Sequence, residues 1–155
     1  MKYYMHRIQK SNNETQKGIE VHDTLDSAKL SFWGRMKTAY DKTDNYFVSC
    51  MITDEYGNPV PDYSMTWLRD GYEGENAYFL HHIRNDGNSV DKNIDELESL
   101  YLATGNLAEM MEYGYNNSKF PNVSFVHCLI TDLLSGGMVL LDREWHKEVE
   151  PAPAE

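Results

Sequence analysis

Much of what usually marks a function is missing from these 155 residues. There are two cysteines, Cys50 and Cys128, and no C-x-x-C pair, so neither a disulfide framework nor a zinc or dithiol pattern is indicated. No apolar run is long enough to cross a bilayer, and Met1-Lys2-Tyr3 leads straight into a strand pattern rather than a signal peptide. A cytoplasmic protein without a membrane segment is expected. There is no Gly-rich phosphate loop, no nucleophile elbow and no H-E-x-x-H. His22-Asp23-Thr24 matches half of a two-histidine phosphoesterase, but its counterpart Leu97-Glu98-Ser99 lacks the second histidine such acid–base chemistry needs. Basic residues are few and dispersed, 14 against 25 acidic ones, which argues against direct binding of nucleic acid. The chain is expected to be no enzyme and to use no cofactor and no metal.

What is present is an internal duplication. Aligning 3–40 with 78–115 gives ten identities in 38, and aligning 46–67 with 124–145 gives seven in 22. Chance would give roughly one in sixteen with this skewed residue usage. The clearest match sets F-V-S-C-M-I-T-D at 47–54 beside F-V-H-C-L-I-T-D at 125–132. The length changes by three residues between Tyr115 and Ser124, where a loop tolerates insertion. Two copies are too few for a solenoid and imply a pseudo-two-fold pair. Each copy is near the lower size limit for a self-sufficient core, so a shared core is expected.

Each copy reads as β-β-α-β-β. Tyr4, His6 and Ile8 share one strand face, and Tyr3, Met5 and Arg7 the other. Asn12-Asn13 and Asp86-Gly87-Asn88 are turn chemistry, and Lys17 to His22 returns as a second strand. Asp23 or Thr24 caps a helix with Leu25, Ala28, Phe32, Met36, Ala39 and Tyr40 on one face, matched by Leu100, Ala103, Leu107, Met111, Gly114 and Tyr115. In the second copy, Asn93 followed by Glu96 looks like a capping box, which leaves residues 91–98 open between a second strand and an early start of the helix. Gly105-Asn106 is expected to weaken and kink it. The segment from Tyr46 to Asp54 is apolar on both faces, and so is its copy. One face must take a helix and the other the opposite unit. Tyr56-Gly57-Asn58-Pro59 and Ser135-Gly136-Gly137 turn the chain into strands ending at Trp67 and Trp145. The prediction is an α+β fold, a tandem duplication with antiparallel sheets and helices outside: first repeat 1–67, linker 68–76, second repeat 77–146, disordered tail 147–155.

Positions shared by both copies read as scaffold. Cys50 and Cys128 read as small buried hydrophobes, His6 and His81 as hydrogen-bonded core histidines, and Asp54 and Asp132 as turn initiators. The differences carry the functional suspicion. Residues 1–67 hold 8 basic and 9 acidic residues, whereas 68–155 hold 6 and 16. Acid gathers at Asp91, Asp95, Glu96 and Glu98, near the start of the second helix, where Asp95, Glu96 and Glu98 would suit the dipole if they fall in its first turns, and at Glu73 and Glu75 in the linker. Of the two histidines extra to the second copy, His82 and His127, it is His127, in place of Ser49, that joins these acids. These seven residues are the predicted partner-binding site. Eleven tyrosines and three tryptophans add amphipathic contact residues.

With K-Y-Y-x-x-R-I-Q near its start and V-S-C-M-I-T-D-E-Y-G-N after its helix, the first unit resembles small acidic uncharacterised proteins of phages and mobile elements of Gram-positive bacteria. The resemblance implies a phage accessory role in the host cell cytoplasm, anti-CRISPR and other anti-defence proteins among them. The expectation is a non-enzymatic inhibitor that binds a basic, nucleic-acid-handling host protein through its acidic surface. One alternative is a sponge that sequesters a nucleotide signal between the repeats, its phosphates met by Arg7, Lys17 or Lys92. Another is a structural or assembly protein.

Overall fold

The two segments that read as apolar on both faces lie at the centres of two sheets. In the first unit, β1 (Tyr3–Ser11) pairs with β2 (Thr15–His22). After α1 (Leu25–Asp41) it also pairs with β3 (Asn45–Asp54), which pairs with β4 (Pro59–Leu68). The second unit repeats this with β5 (Tyr78–Asn85), β6 (Val90–Leu97), α2 (Leu100–Tyr115), β7 (Phe125–Asp132) and β8 (Val139–His146). Strand orders are β2-β1-β3-β4 and β6-β5-β7-β8, all pairs antiparallel. Registers correspond: Tyr3 faces Asp54, as Tyr78 faces Asp132. This computed structural model describes residues 1–41, 44–136 and 138–147, with only the backbone of Tyr40 and Asp41. Gly137 of the second expected turn and residues 148–155 of the expected disordered tail lie outside the described residues.

Three apolar clusters make four layers, helix–sheet–sheet–helix. Ala28, Phe32 and Met36 of α1 cover Met5, Val48, Cys50 and Ile52. Ala103, Leu107 and Met111 of α2 cover Leu80, Val126, Cys128 and Ile130. Between the sheets, Tyr4, Ile8, Ile19 and Phe47 meet Phe79, Ile83, Ile94 and Phe125. Every residue of β7 is buried, because it has a helix on one side and a foreign sheet on the other. The outer strands β4 and β8 carry the polar and exposed positions. The connecting segment 68–76 is hydrogen-bonded near both ends. The Arg69 N–H donates to the Tyr46 carbonyl at 2.9 Å, and Asn76 Nδ2 donates to Asp132 at 3.0 Å. The three-residue insertion falls in the loop between α2 and β7.

Local signals misled in the second unit. Residues 90–97 form the strand β6, not the start of a helix, so Asn93 and Glu96 make no capping box. Pairing with β5 outweighs the capping signal, and Ile94 is fully buried in the inter-sheet core. The helix cap is Ser99, whose hydroxyl accepts from the Leu102 N–H at 3.1 Å. The first helix is capped the same way, by Thr24 accepting from the Ser27 N–H at 3.1 Å. α2 runs unbroken through Gly105-Asn106, while Leu100 and Tyr115, expected on the core face, are exposed at its two ends. Ser99→Ala is therefore expected to cost about 1 kcal/mol. Asn93→Ala should leave α2 untouched. Urea denaturation of the two variants tells a cap at 99 from one at 93.

Candidate functional site

At the centre of the sheet–sheet interface the two equivalent histidines meet. His6 Nδ1 lies 3.0 Å from His81 Nδ1, and each ring places Nε2 2.9 Å from a threonine hydroxyl, Thr53 and Thr131 respectively. Two bare nitrogens or two N–H groups cannot bond at that separation, so one ring donates and its equivalent accepts. The pseudo-symmetry is thus broken by one proton. Burial holds both imidazoles below their ordinary pKa, with neighbouring histidines adding repulsion, and His81 is brought down to about 3. The pair is neutral and fully enclosed. Both cysteines face the helices, and burial pushes each thiol up to about 12, which leaves them inert.

At one end of the same interface the sheets part to leave a cleft of about 820 Å³. Its walls come from both units: Lys10 and Tyr46 from the first, Ala77, Glu96, Leu97, Glu98 and Leu133 from the second, and Tyr72, Glu75 and Asn76 from the connecting segment. Tyr46 and Tyr72 stack with ring centroids 5.0 Å apart and planes 5° from parallel. Lys10 is buried at the base, where it forms an ion pair with Glu96 and lies 5.9 Å from the centroid of the Phe79 ring. This buried cation is therefore matched by Glu96. Among the described residues, Glu75 and Glu98 make no ion pair at the cleft walls. The cleft is acidic, with an aromatic wall. It suits a cationic group better than a phosphate.

The pseudo-two-fold relates this cleft to a smaller one of about 270 Å³ at the other end of the interface. There Asn85 stands in place of Lys10, Val21 in place of Glu96, Lys2 in place of Ala77 and Glu55 in place of Leu133. The duplication built one cleft twice and lined the copies differently.

No known family model, curated protein or solved structure matches this chain.

The structure scatters the seven predicted site residues. Glu75, Glu96 and Glu98 line the cleft, and Glu73 lines an adjoining depression of about 410 Å³ on the other side of the stacked tyrosines. Asp95 and Asp91 lie on the helix side of the second sheet, Asp95 3.1 Å from His82 and Asp91 3.5 Å from Arg84. The segment left open between strand and helix is the strand β6, so its alternate residues face opposite ways and these acids do not share one helical turn. His127 is not at the surface. It is buried between the sheets with Nε2 2.7 Å from Asp142. A methyl group on Gly57, which has φ +85°, would come within 2.8 Å of the His127 ring. The histidine seals a turn of the opposite unit.

Lys10, Tyr46 and Tyr72 were missed. Two of them were legible in the copy comparison, where Lys10 aligns with Asn85 and Tyr46 with Ser124. The cations expected to meet phosphates do not reach the cleft. Arg7 and Lys17 line a separate depression, and Lys92 lines neither. Among the described residues no group of three His, Cys, Asp or Glu is placed to hold a metal ion, and no helix is long and apolar enough to cross a bilayer.

Proposed function

We propose that this protein is a non-enzymatic inhibitor that captures a basic side chain or basic segment of a nucleic-acid-handling host protein in its inter-unit cleft. The supporting observation is the charge balance there. Lys10 is matched by Glu96, and Glu75 and Glu98 flank the stacked Tyr46 and Tyr72. A guanidinium entering the cleft gains two carboxylates and an aromatic face together, the combination that arginine recognition favours. The acidic bias of the second half steers such a partner toward the site. The phage-type resemblance of the first unit makes a defence protein the partner of choice. A nucleotide held between the repeats has less support, since its phosphates would face these same carboxylates.

The test is capture from a lysate of bacteria that carry a nucleic-acid-cutting defence system, followed by a cleavage assay on the captured protein. Wild type is expected to retain that protein and to suppress its activity on nucleic acid. Glu75→Lys and Glu98→Lys should each weaken binding by about tenfold or more. Asp91→Lys, on the other face of β6, should change little. Glu96→Lys is a poor test, because it leaves Lys10 buried beside a like charge and threatens the fold. Undiminished capture by the Glu75→Lys/Glu98→Lys double variant, or full cleavage activity in the presence of wild type, would overturn the reading.

A further inference from the structure

In an acidic molecule, one depression is lined by cations. Arg7 of β1, Thr15, Gln16 and Lys17 of β2 and Arg35 of α1 enclose about 460 Å³ on the first unit, outside the inter-unit cleft. Arg7 stands opposite Gly18 in the register of the hairpin, and its guanidinium runs over that glycine. A Cβ there would sit 3.6 Å from an Arg7 Nη. That is ordinary van der Waals contact, so the arginine head packs directly over the strand. Arg7 Nε is buried without a hydrogen-bond partner, and among the described residues no carboxylate pairs with Arg7 or Lys17. The nearby acids are Glu14, which accepts from Gln16 Nε2 at 3.1 Å, and Glu20. The Glu20 carboxylate accepts from the Ser31 hydroxyl at 2.7 Å and lies 4.0 Å from Arg35, too far for a tight pair. Arg7 and Gln16 share the helix side of the sheet with Arg35, while Thr15 and Lys17, paired with Lys10 and Ile8, point to the other face and bound the depression at the strand edge. A buried guanidinium N–H without an acceptor lacks the partner that such groups normally have.

We infer that this depression is an anion site for a phosphoryl group, with Arg7 and Arg35 as the principal donors. Planar guanidinium forks match tetrahedral oxyanions, and a phosphoryl group supplies the acceptors Arg7 lacks. The depression has no aromatic wall, so the site reads the phosphoryl group and not a base. The second unit cannot form the same site. The residues aligned with Arg7, Gly18 and Arg35 are His82, Asn93 and Met110, and His82 is occupied by Asp95.

The test uses inorganic phosphate as the probe, titrated into the full chain at constant ionic strength and followed by NMR chemical shifts of residues 7, 15–18 and 35. Adenosine monophosphate and phosphoserine serve as organic comparators. Saturable shifts confined to these residues are expected with all three probes. Arg7→Gln and Arg35→Gln should each reduce affinity by at least about tenfold, the loss of one charge-assisted hydrogen bond, and Arg7→Lys should retain part of it. Lys92→Gln should bind as wild type. Arg35 is half-exposed, so its variant stays informative if an Arg7 substitution disturbs the sheet. Absence of saturable shifts in wild type, or unchanged affinity in Arg35→Gln, overturns the assignment. Neither outcome bears on the inter-unit cleft, which lies elsewhere.

Discussion

Phe47→Ala is expected to remove about 3–5 kcal/mol of folding stability, a large share of the 5–15 kcal/mol that holds a typical domain. Phe47 is fully buried, and its ring stacks on Phe79 of the other unit with centroids 5.8 Å apart and planes 8° from parallel. Truncation opens a cavity where the two sheets meet, and a stacked interior cannot collapse without moving a whole sheet. Phe79→Ala should cost a similar amount. The double variant should cost less than the two together by about 0.5–1.5 kcal/mol, the worth of an aromatic pair beyond its burial. Urea denaturation followed by tryptophan fluorescence and circular dichroism measures all three. Trp67 reports on the first unit and Trp145 on the second. Because the core is shared, one transition is expected by both probes. A Phe47→Ala loss under about 1 kcal/mol, below the range for truncated core aromatics, would show that the sheets do not depend on one another.

The second large effect lies at the histidine pair. His6→Leu leaves His81 Nδ1 and the Thr53 hydroxyl without their partner in a dry interface, at a cost of about 1–3 kcal/mol for each group. His6→Leu/His81→Leu removes the nitrogen–nitrogen contact from both sides and is expected to cost less than the sum of the single variants. The pair also sets an acid limit. Both histidines have folded pKa values below 6.5, so the unfolded chain takes up protons first as the pH falls. Stability from this source is complete above about pH 6.5 and is lost as the pH drops toward the folded value, about 3 for His81. The slope in that window reaches at most about 1.4 kcal/mol per pH unit for each histidine. Stability curves from pH 7 to 4 should therefore be steeper for wild type than for the double leucine variant. Parallel curves would assign the acid sensitivity to carboxylates instead.

The duplication, the β-β-α-β-β order and the two-faced burial of β3 and β7 were all legible in letters. Each rests on a local pattern. Alternation every two residues marks a strand, spacing of three and four marks α1, and repetition at offsets of 75 and 78 marks the copies. Legibility ended where local and non-local preferences compete. Asn93 and Glu96 satisfy a capping rule locally, yet Ile94 gains more by burial between sheets than a cap returns. His127 looked like an addition because it differs from Ser49, but its role is to fill the space above a glycine turn of the other unit.

The sequence by itself determined the unit, its repetition and which faces had to be covered, because the periodicity of burial is written residue by residue. Only the tertiary structure decided what lies opposite what. Lys10 meets Glu96 across 86 residues, His6 meets His81 across 75, and Tyr46 finds Tyr72 in what had read as a linker. Such encounters depend on how two sheets are laid against each other, and strand periodicity says nothing about that. The acidic residues therefore read as one patch along the chain. In space they divide into a cleft lined by Glu75, Glu96 and Glu98 and a helix-side pair, Asp91 and Asp95, because successive residues of a strand point to opposite faces.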